Sequence, residues 1–137
     1  MAILLWKLRD QKIGRLRGYI THSDLFQNIY KGIKFDLIVF NHFYRPEGTG
    51  IFGPVKDGGK IIVQRFLKQT KTRLNVDGIV LMSFVEMSDH ENDPYKIANK
   101  LGYKVKIIFC CENYKKMGRF SIYKMQLSKK SRNLKRF

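Results

Sequence analysis

The stretch Phe35-Asp36-Leu37-Ile38-Val39-Phe40-Asn41-His42-Phe43-Tyr44 decides the fold. Its first six residues are an almost continuous apolar run, the pattern of a strand buried on both faces of an α/β sheet. The run stops at Asn41, which leaves a polar residue and then aromatics at the carboxyl end of an interior strand. Open α/β sheets bind their ligands at that end. The plainer alternative is a strand that ends in Asn above packed aromatics.

Working outward, the pattern alternates between helix and strand. Ile3, Leu4, Leu5, Trp6 and Leu8 predict a short helix, broken by Gly14 and Gly18, and Tyr19 to His22 reads as a weak strand. Residues 25–33 read as a loop or a single turn. A helix is expected from Lys60 to Leu74, with Ile61, Ile62, Phe66 and Leu74 facing inward. The run Gly78-Ile79-Val80-Leu81-Met82-Ser83-Phe84-Val85 predicts a second strand buried on both faces. Asp93 followed by Pro94 is a helix cap and first position, and Gly102 closes that helix. Lys104 to Cys110 and Arg119 to Leu127 alternate as an antiparallel edge pair. Repeats and low-complexity tracts are absent from the sequence.

With 137 residues, 44% of them hydrophobic, the chain suffices for one moderate core. No apolar stretch approaches the roughly 18 residues that span a bilayer, and Met1 to Trp6 is too short and too soon charged for a signal peptide. A cytoplasmic protein without membrane contact is expected. The two cysteines, Cys110 and Cys111, are adjacent on an apolar strand and read as small core residues of a reducing compartment, neither a disulfide framework nor a metal site.

Asn41 and Tyr44, two residues apart from adjacency, give the strand end a specific likeness. It resembles the Asn-Pro-Pro-Tyr segment of class I S-adenosylmethionine-dependent methyltransferases that modify planar nitrogens, such as glutamine amides or adenine amines. In that family the Asn side chain and the next backbone carbonyl accept hydrogen bonds from the target NH2, and the aromatic stacks on its plane. Acceptors on those hydrogens push electron density toward the attacking lone pair. The resemblance implies catalytic roles for Asn41 and Tyr44 and substrate contacts for His42, Phe43 and Arg45. His42 and Phe43 stand where the family has prolines, so two φ-fixing rings are lost.

The likeness extends from Ala2 to Leu127. Thr21-His22-Ser23-Asp24-Leu25-Phe26 resembles the family's third strand, implying that Asp24 and Leu25 lie beside the adenine of S-adenosylmethionine. Gly53 to Gly78, with Asp57-Gly58-Gly59 and the turn Asn75-Val76-Asp77-Gly78, resembles its loop, helix and turn. The subgroup resembled is the protein-glutamine N5 methyltransferases, which act on release factors. The implied substrate is a release-factor-like protein or a nucleic acid.

That family opens with a strand, a glycine-rich cofactor turn, a helix and a second strand ending in an acid. Ala2 to Lys12 already reads as the helix after that second strand, so the cofactor half is expected to be missing. The expected fold is a partial Rossmann-like methyltransferase sheet over residues 1–127. It is mostly parallel, has an antiparallel C-terminal strand pair, lacks its first two strands, and precedes a basic tail at 128–137. Gly48-Thr49-Gly50-Ile51-Phe52-Gly53 spells GxGxxG but follows no strand directly and opens no helix, so it reads as a chance match in a substrate loop. Without the first two strands, the Phe35 strand would expose a long edge. The Tyr19 strand moving across, a second copy, or a complementing chain would each cover it.

Charge is the second strong signal. The formal net charge is +16, from 27 Lys and Arg against 11 Asp and Glu. Residues 114–137 hold 9 basic side chains and no acidic one. The tail residues Lys129, Lys130, Arg132, Lys135 and Arg136 have the footprint of nucleic-acid contact; a solvated basic terminus is the bland reading. Lys56 and Arg45 flank the Asn41 loop and suit an anionic substrate or plain solvent exposure. Asp89, His90, Glu91 and Asp93 match no metal-ligand spacing and read as a solvated loop with a helix cap.

Two functions remain open. One is a nitrogen-directed methyltransferase, incomplete or inactive alone. The alternative is a non-catalytic basic module that binds RNA, DNA or a partner subunit.

Overall fold

A computed structural model of the chain describes residues 2–6, 18–41, 60–86, 93–113 and 118–128. The elements are β1 (Ala2–Trp6), β2 (Gly18–His22), β3 (Phe35–Asn41), α1 (Lys60–Arg73), β4 (Leu74–Glu86), α2 (Pro94–Lys100), β5 (Tyr103–Cys111) and β6 (Arg119–Leu127). Four strands form a mixed sheet in the order β3-β4-β6-β5, and β1 and β2 form a two-stranded sheet. β3 and β4 are parallel, joined through α1, because a parallel pair needs a crossover rather than a hairpin. β6 runs antiparallel to both β4 and β5, so the expected antiparallel C-terminal pair is present.

Ala2–Trp6 is a strand and not the helix expected from its sequence. It pairs antiparallel with β2, from Ala2 opposite His22 to Trp6 opposite Gly18. A five-residue apolar run is too short to sustain an isolated helix, and its periodicity does not separate helix from strand. β1 also lies near β3 without joining its ladder.

Among the described residues the sheet carries buried side chains on one side only, a correction to the doubly buried strands expected. Phe35, Ile38 and Phe40 of β3 are buried, as are Val80, Met82 and Phe84 of β4, and Ser121, Tyr123 and Met125 of β6. The ladder places these residues on one face: Val80 opposes Met125, Met82 opposes Tyr123, and Phe84 opposes Ser121. The intervening residues point the other way, and none of those described is buried. Val39, in the middle of β3, is 47% exposed.

Both helices belong to the buried side. The inward stripe of α1 is Val63, Phe66, Leu67, Thr70 and Arg73, spaced at three and four residues. Ile61, expected inward, is 60% exposed because it falls outside that stripe. Leu74 is buried as expected, but as the first residue of β4. Phe66 is sandwiched between Phe40, with ring centroids 4.0 Å apart, and Phe26, at 5.8 Å.

Arg73, on the last turn of α1, closes the other end of this core. Its guanidinium is buried and donates to the carbonyls of Tyr30, Ile29 and Phe26 while lying 5.7 Å over the Phe26 ring. The turn after β2 is thereby tied to the helix. Within that turn Leu25 has φ 55° and is fully buried.

β3 meets β4 through a register shift, from Phe35 opposite Leu74 to Leu37 opposite Ile79. At Gly78 an added Cβ would come 2.8 Å from the Phe35 carbonyl oxygen, so the shift requires a residue without a side chain. α2 starts as expected: the Asp93 carboxylate accepts from the Tyr95 N–H at 2.8 Å, and Pro94 follows the cap. Gly102 ends it at φ 83°.

Tyr103 anchors β5 beneath α1. Its buried hydroxyl donates to the Leu67 carbonyl at 2.7 Å and lies 2.7 Å from the Thr70 hydroxyl. Burial pushes its pKa up from 10.0 to about 12, while the Thr70 hydrogen bond pulls the other way. The folded state therefore favours the neutral phenol, a contribution fully present below pH 10 and lost as pH rises from 10 toward 12. Roughly 2 to 3 kcal/mol should disappear across that window. Urea melts of dilute protein at several alkaline pH values should show this loss in the wild type and a smaller one in Tyr103→Phe. Equal losses in both proteins would remove Tyr103 as its source.

The cysteines depart from expectation as well. Cys110 is exposed and Cys111 half-buried; both are free thiols on the edge strand β5, beyond the residues packed under the helices. Among the described residues no helix is long and apolar enough to cross a membrane, which says nothing of β-barrels.

Candidate functional site

Asn41 is the last residue of β3, and the parallel ladder sets it opposite Ser83 of β4. It is exposed, so the side chain is not consumed by packing. The Ser83 hydroxyl donates to Asn41 Oδ1 at 2.6 Å. A side-chain carbonyl oxygen has two lone pairs and the amide two N–H donors. Asn41 is thus held by its neighbour while keeping one acceptor position and both donors for a ligand. Sequence reasoning missed Ser83, although a signal existed. It is the one polar residue between Ile79 and Val85, and a lone hydroxyl near the end of an interior strand has to find a partner.

Asp24 lies in the turn after β2. Its Oδ2 accepts from Arg65 Nη2 of α1 at 2.6 Å and from Gln27 Nε2 at 3.3 Å. Both members of the ion pair are nearly half exposed, so the contact contributes little stability and orients the carboxylate more than it binds it. Leu25, singled out with Asp24, is a core side chain. His22 is exposed at the end of β2, and its carbonyl accepts from Asn28 Nδ2 at 2.7 Å.

The remaining residues singled out in the sequence fall elsewhere. His42, Phe43, Tyr44, Arg45, Lys56 and the Gly48 to Gly53 match lie outside the described residues, as do Asp89, His90 and Glu91. So do Lys129, Lys130, Arg132, Lys135 and Arg136 of the tail. Of the acidic cluster, Asp93 is described, and it caps α2. Among the described residues no three His, Cys, Asp or Glu side chains gather as a metal site would require.

The arrangement at the end of β3 presents an oriented primary amide to solvent. In shape, the chain is similar to methyltransferases. One solved structure is precorrin-6y C5,15-methyltransferase from Geobacter metallireducens, with a TM-score of 0.45 and 16% identity over 70% of this chain and 46% of that one. Another is a SAM-dependent methyltransferase from Bacteroides fragilis in complex with S-adenosyl-L-homocysteine, with a TM-score of 0.46 and 15% identity over 76% and 52%. A third is Trm5b from Pyrococcus abyssi, with a TM-score of 0.36 and 18% identity over 70% and 26%. The chain spans about half the length of the first two. No protein-family profile and no curated protein sequence matches it. Likenesses at this level concern the outline of an α/β fold and assign no activity.

Proposed function

We propose that this chain is the acceptor-side portion of a methyltransferase directed at a planar nitrogen, either a glutamine amide of a release-factor-like protein or a nucleobase amine. The observation that carries the reading is the hydrogen bond from Ser83 to Asn41 Oδ1 at the carboxyl end of β3. It fixes the amide while leaving an acceptor position for one hydrogen of a target NH2. The His42 carbonyl takes the second hydrogen, and Tyr44 stacks on the plane of the group. Drawing both hydrogens to acceptors raises electron density on the nitrogen and sets its lone pair perpendicular to the plane of the amide.

The described residues do not fit S-adenosylmethionine well. Asp24, the acid placed beside adenine by the family resemblance, has Oδ2 engaged by Arg65 and Gln27, and the Leu25 side chain is in the core, so these two residues offer adenine no more than the second carboxylate oxygen of Asp24. The proposed role of the described residues is therefore confined to the acceptor. Donor binding falls to other residues or to a complementing chain.

Acceptor binding is measurable without a donor. A glutamine-bearing peptide and, separately, adenosine titrated into the 15N-labelled protein should shift the Asn41 side-chain amide and the Ser83 backbone resonance. Asn41→Ala should weaken the preferred acceptor roughly fivefold to tenfold, the worth of one or two neutral hydrogen bonds. If neither compound perturbs these signals, or the alanine variant binds equally well, the reading fails.

A further inference from the structure

The second face of the sheet, on which no described side chain is buried, is not uniformly apolar. Its β5 and β6 half carries Lys104 opposite Gln126 and Lys106 opposite Lys124, and on the other side of β6 Leu81 of β4 lies beside Lys124. Two lysines held directly across a ladder repel one another, a cost sheets ordinarily avoid by placing an acid between them. Among the described residues the β5 and β6 half of this face holds no Asp or Glu, and none of the three lysines is in an ion pair.

Next to the lysines are two aromatic rings, placed there by a break in the ladder. Strict alternation from Lys104 and Lys106 would turn Phe109 toward the helices. The register shift between Ile107 and Phe109 instead sets Phe109 opposite Ile122, on the lysine side. A bulge re-aims a side chain in this way. Phe109 is 51% exposed, and its ring meets that of Phe120 at 6.2 Å, edge to face. Phe120 opposes Val85 and Cys111 on the same side.

We infer that this face binds single-stranded nucleic acid, with bases stacking on Phe109 and Phe120 and phosphates paired with Lys104, Lys106 and Lys124. The juxtaposition decides the chemistry. The exposed ring of Phe109, with the half-buried Phe120 beside it, accepts any base by its π-face, and lysines without ion-pair partners supply the countercharge for the backbone. The two-residue step from Lys104 to Lys106, about 6.8 Å, matches two base rises of about 3.4 Å in a stacked strand. A duplex has no unstacked bases to offer such a platform. An acidic protein surface would use the lysines and leave the rings unexplained. The inference does not depend on the acceptor site, since Asn41 belongs to the opposite edge of the sheet.

The test uses the full chain and a fluorescein-labelled 12-nucleotide oligouridylate, with a matched duplex as competitor, read by anisotropy between 50 and 200 mM KCl. The single strand should bind more tightly than the duplex. Phe109→Ala should weaken it about tenfold. Lys106→Glu with Lys124→Glu should weaken it further and flatten the dependence of log affinity on log salt by about 1 or more. A second readout needs no variant: photocrosslinking of a 4-thiouridine-bearing strand should place adducts on peptides containing Phe109 or Phe120. Adducts confined to residues 129–137, unchanged affinity in both variants, tighter duplex binding, or a stable dimer that shields Phe109 from solvent would each overturn the assignment.

Discussion

Phe66→Ala should remove about 4 kcal/mol of folding stability, the usual cost of emptying a buried aromatic site. Phe66 is fully buried at the centre of a column of rings, between Phe40 of β3 and Phe26 of the turn after β2. Three elements distant in sequence meet on that one side chain. Its loss removes the apolar transfer energy, the stacking with two neighbours, and the packing that holds α1 to the sheet. A domain of this kind has about 5 to 15 kcal/mol in all, so the variant should melt roughly 15 °C lower, with a broadened transition. Phe66→Leu, which keeps most of the volume, should recover more than half of the loss. Thermal melts by circular dichroism give both numbers. A drop of less than 1 kcal/mol in the alanine variant would mean that the ring column does not carry the helix.

Arg73→Met should cost about 3 kcal/mol by a different mechanism. The guanidinium answers the carbonyls of Phe26, Ile29 and Tyr30, and no carboxylate is among its partners. Methionine fills similar space and removes a charge, yet leaves those acceptors without a donor, which costs more than the hydrogen bonds themselves contribute. Arg73→Lys should recover little, because an ammonium cannot present several N–H groups in the plane that a guanidinium does. The loss should be local first, with residues 23–34 becoming sensitive to protease at denaturant concentrations where the sheet persists. Urea midpoints and limited proteolysis test this together. A lysine variant as stable as the wild type would show that charge, and not geometry, is what the turn needs.

Much of the fold was legible in local pattern. The alternation of β5 and β6 sits between turn residues, and Asp93 with Pro94 announces α2 with both its cap and its first position. α1 was legible as a helix but not in its rotation, because Ile61 and Ile62 look as apolar as Val63 and only the neighbours decide which faces inward. Ala2–Trp6 was misread for the same reason that short apolar runs are ambiguous: its partner, β2, begins a dozen residues later. One-sided burial was hidden because an apolar strand reads alike whether its second face is covered or open. At the site, Asn41 was visible as a polar stop, whereas Ser83 was missed although its lone hydroxyl in an apolar run was a signal. The Asp24–Arg65 pair was not visible, since those residues lie 41 positions apart and surface charges advertise no partner.

The lopsided sheet has a colloidal consequence. A net charge of +16 keeps copies of the chain apart, while the half-apolar surface is where they would adhere on close approach. Solubility is then an electrostatic condition and not a property of the fold. It should weaken as the medium nears the isoelectric point of about 10.0, and again as added salt shortens the reach of that repulsion to about 10 Å at 0.1 M.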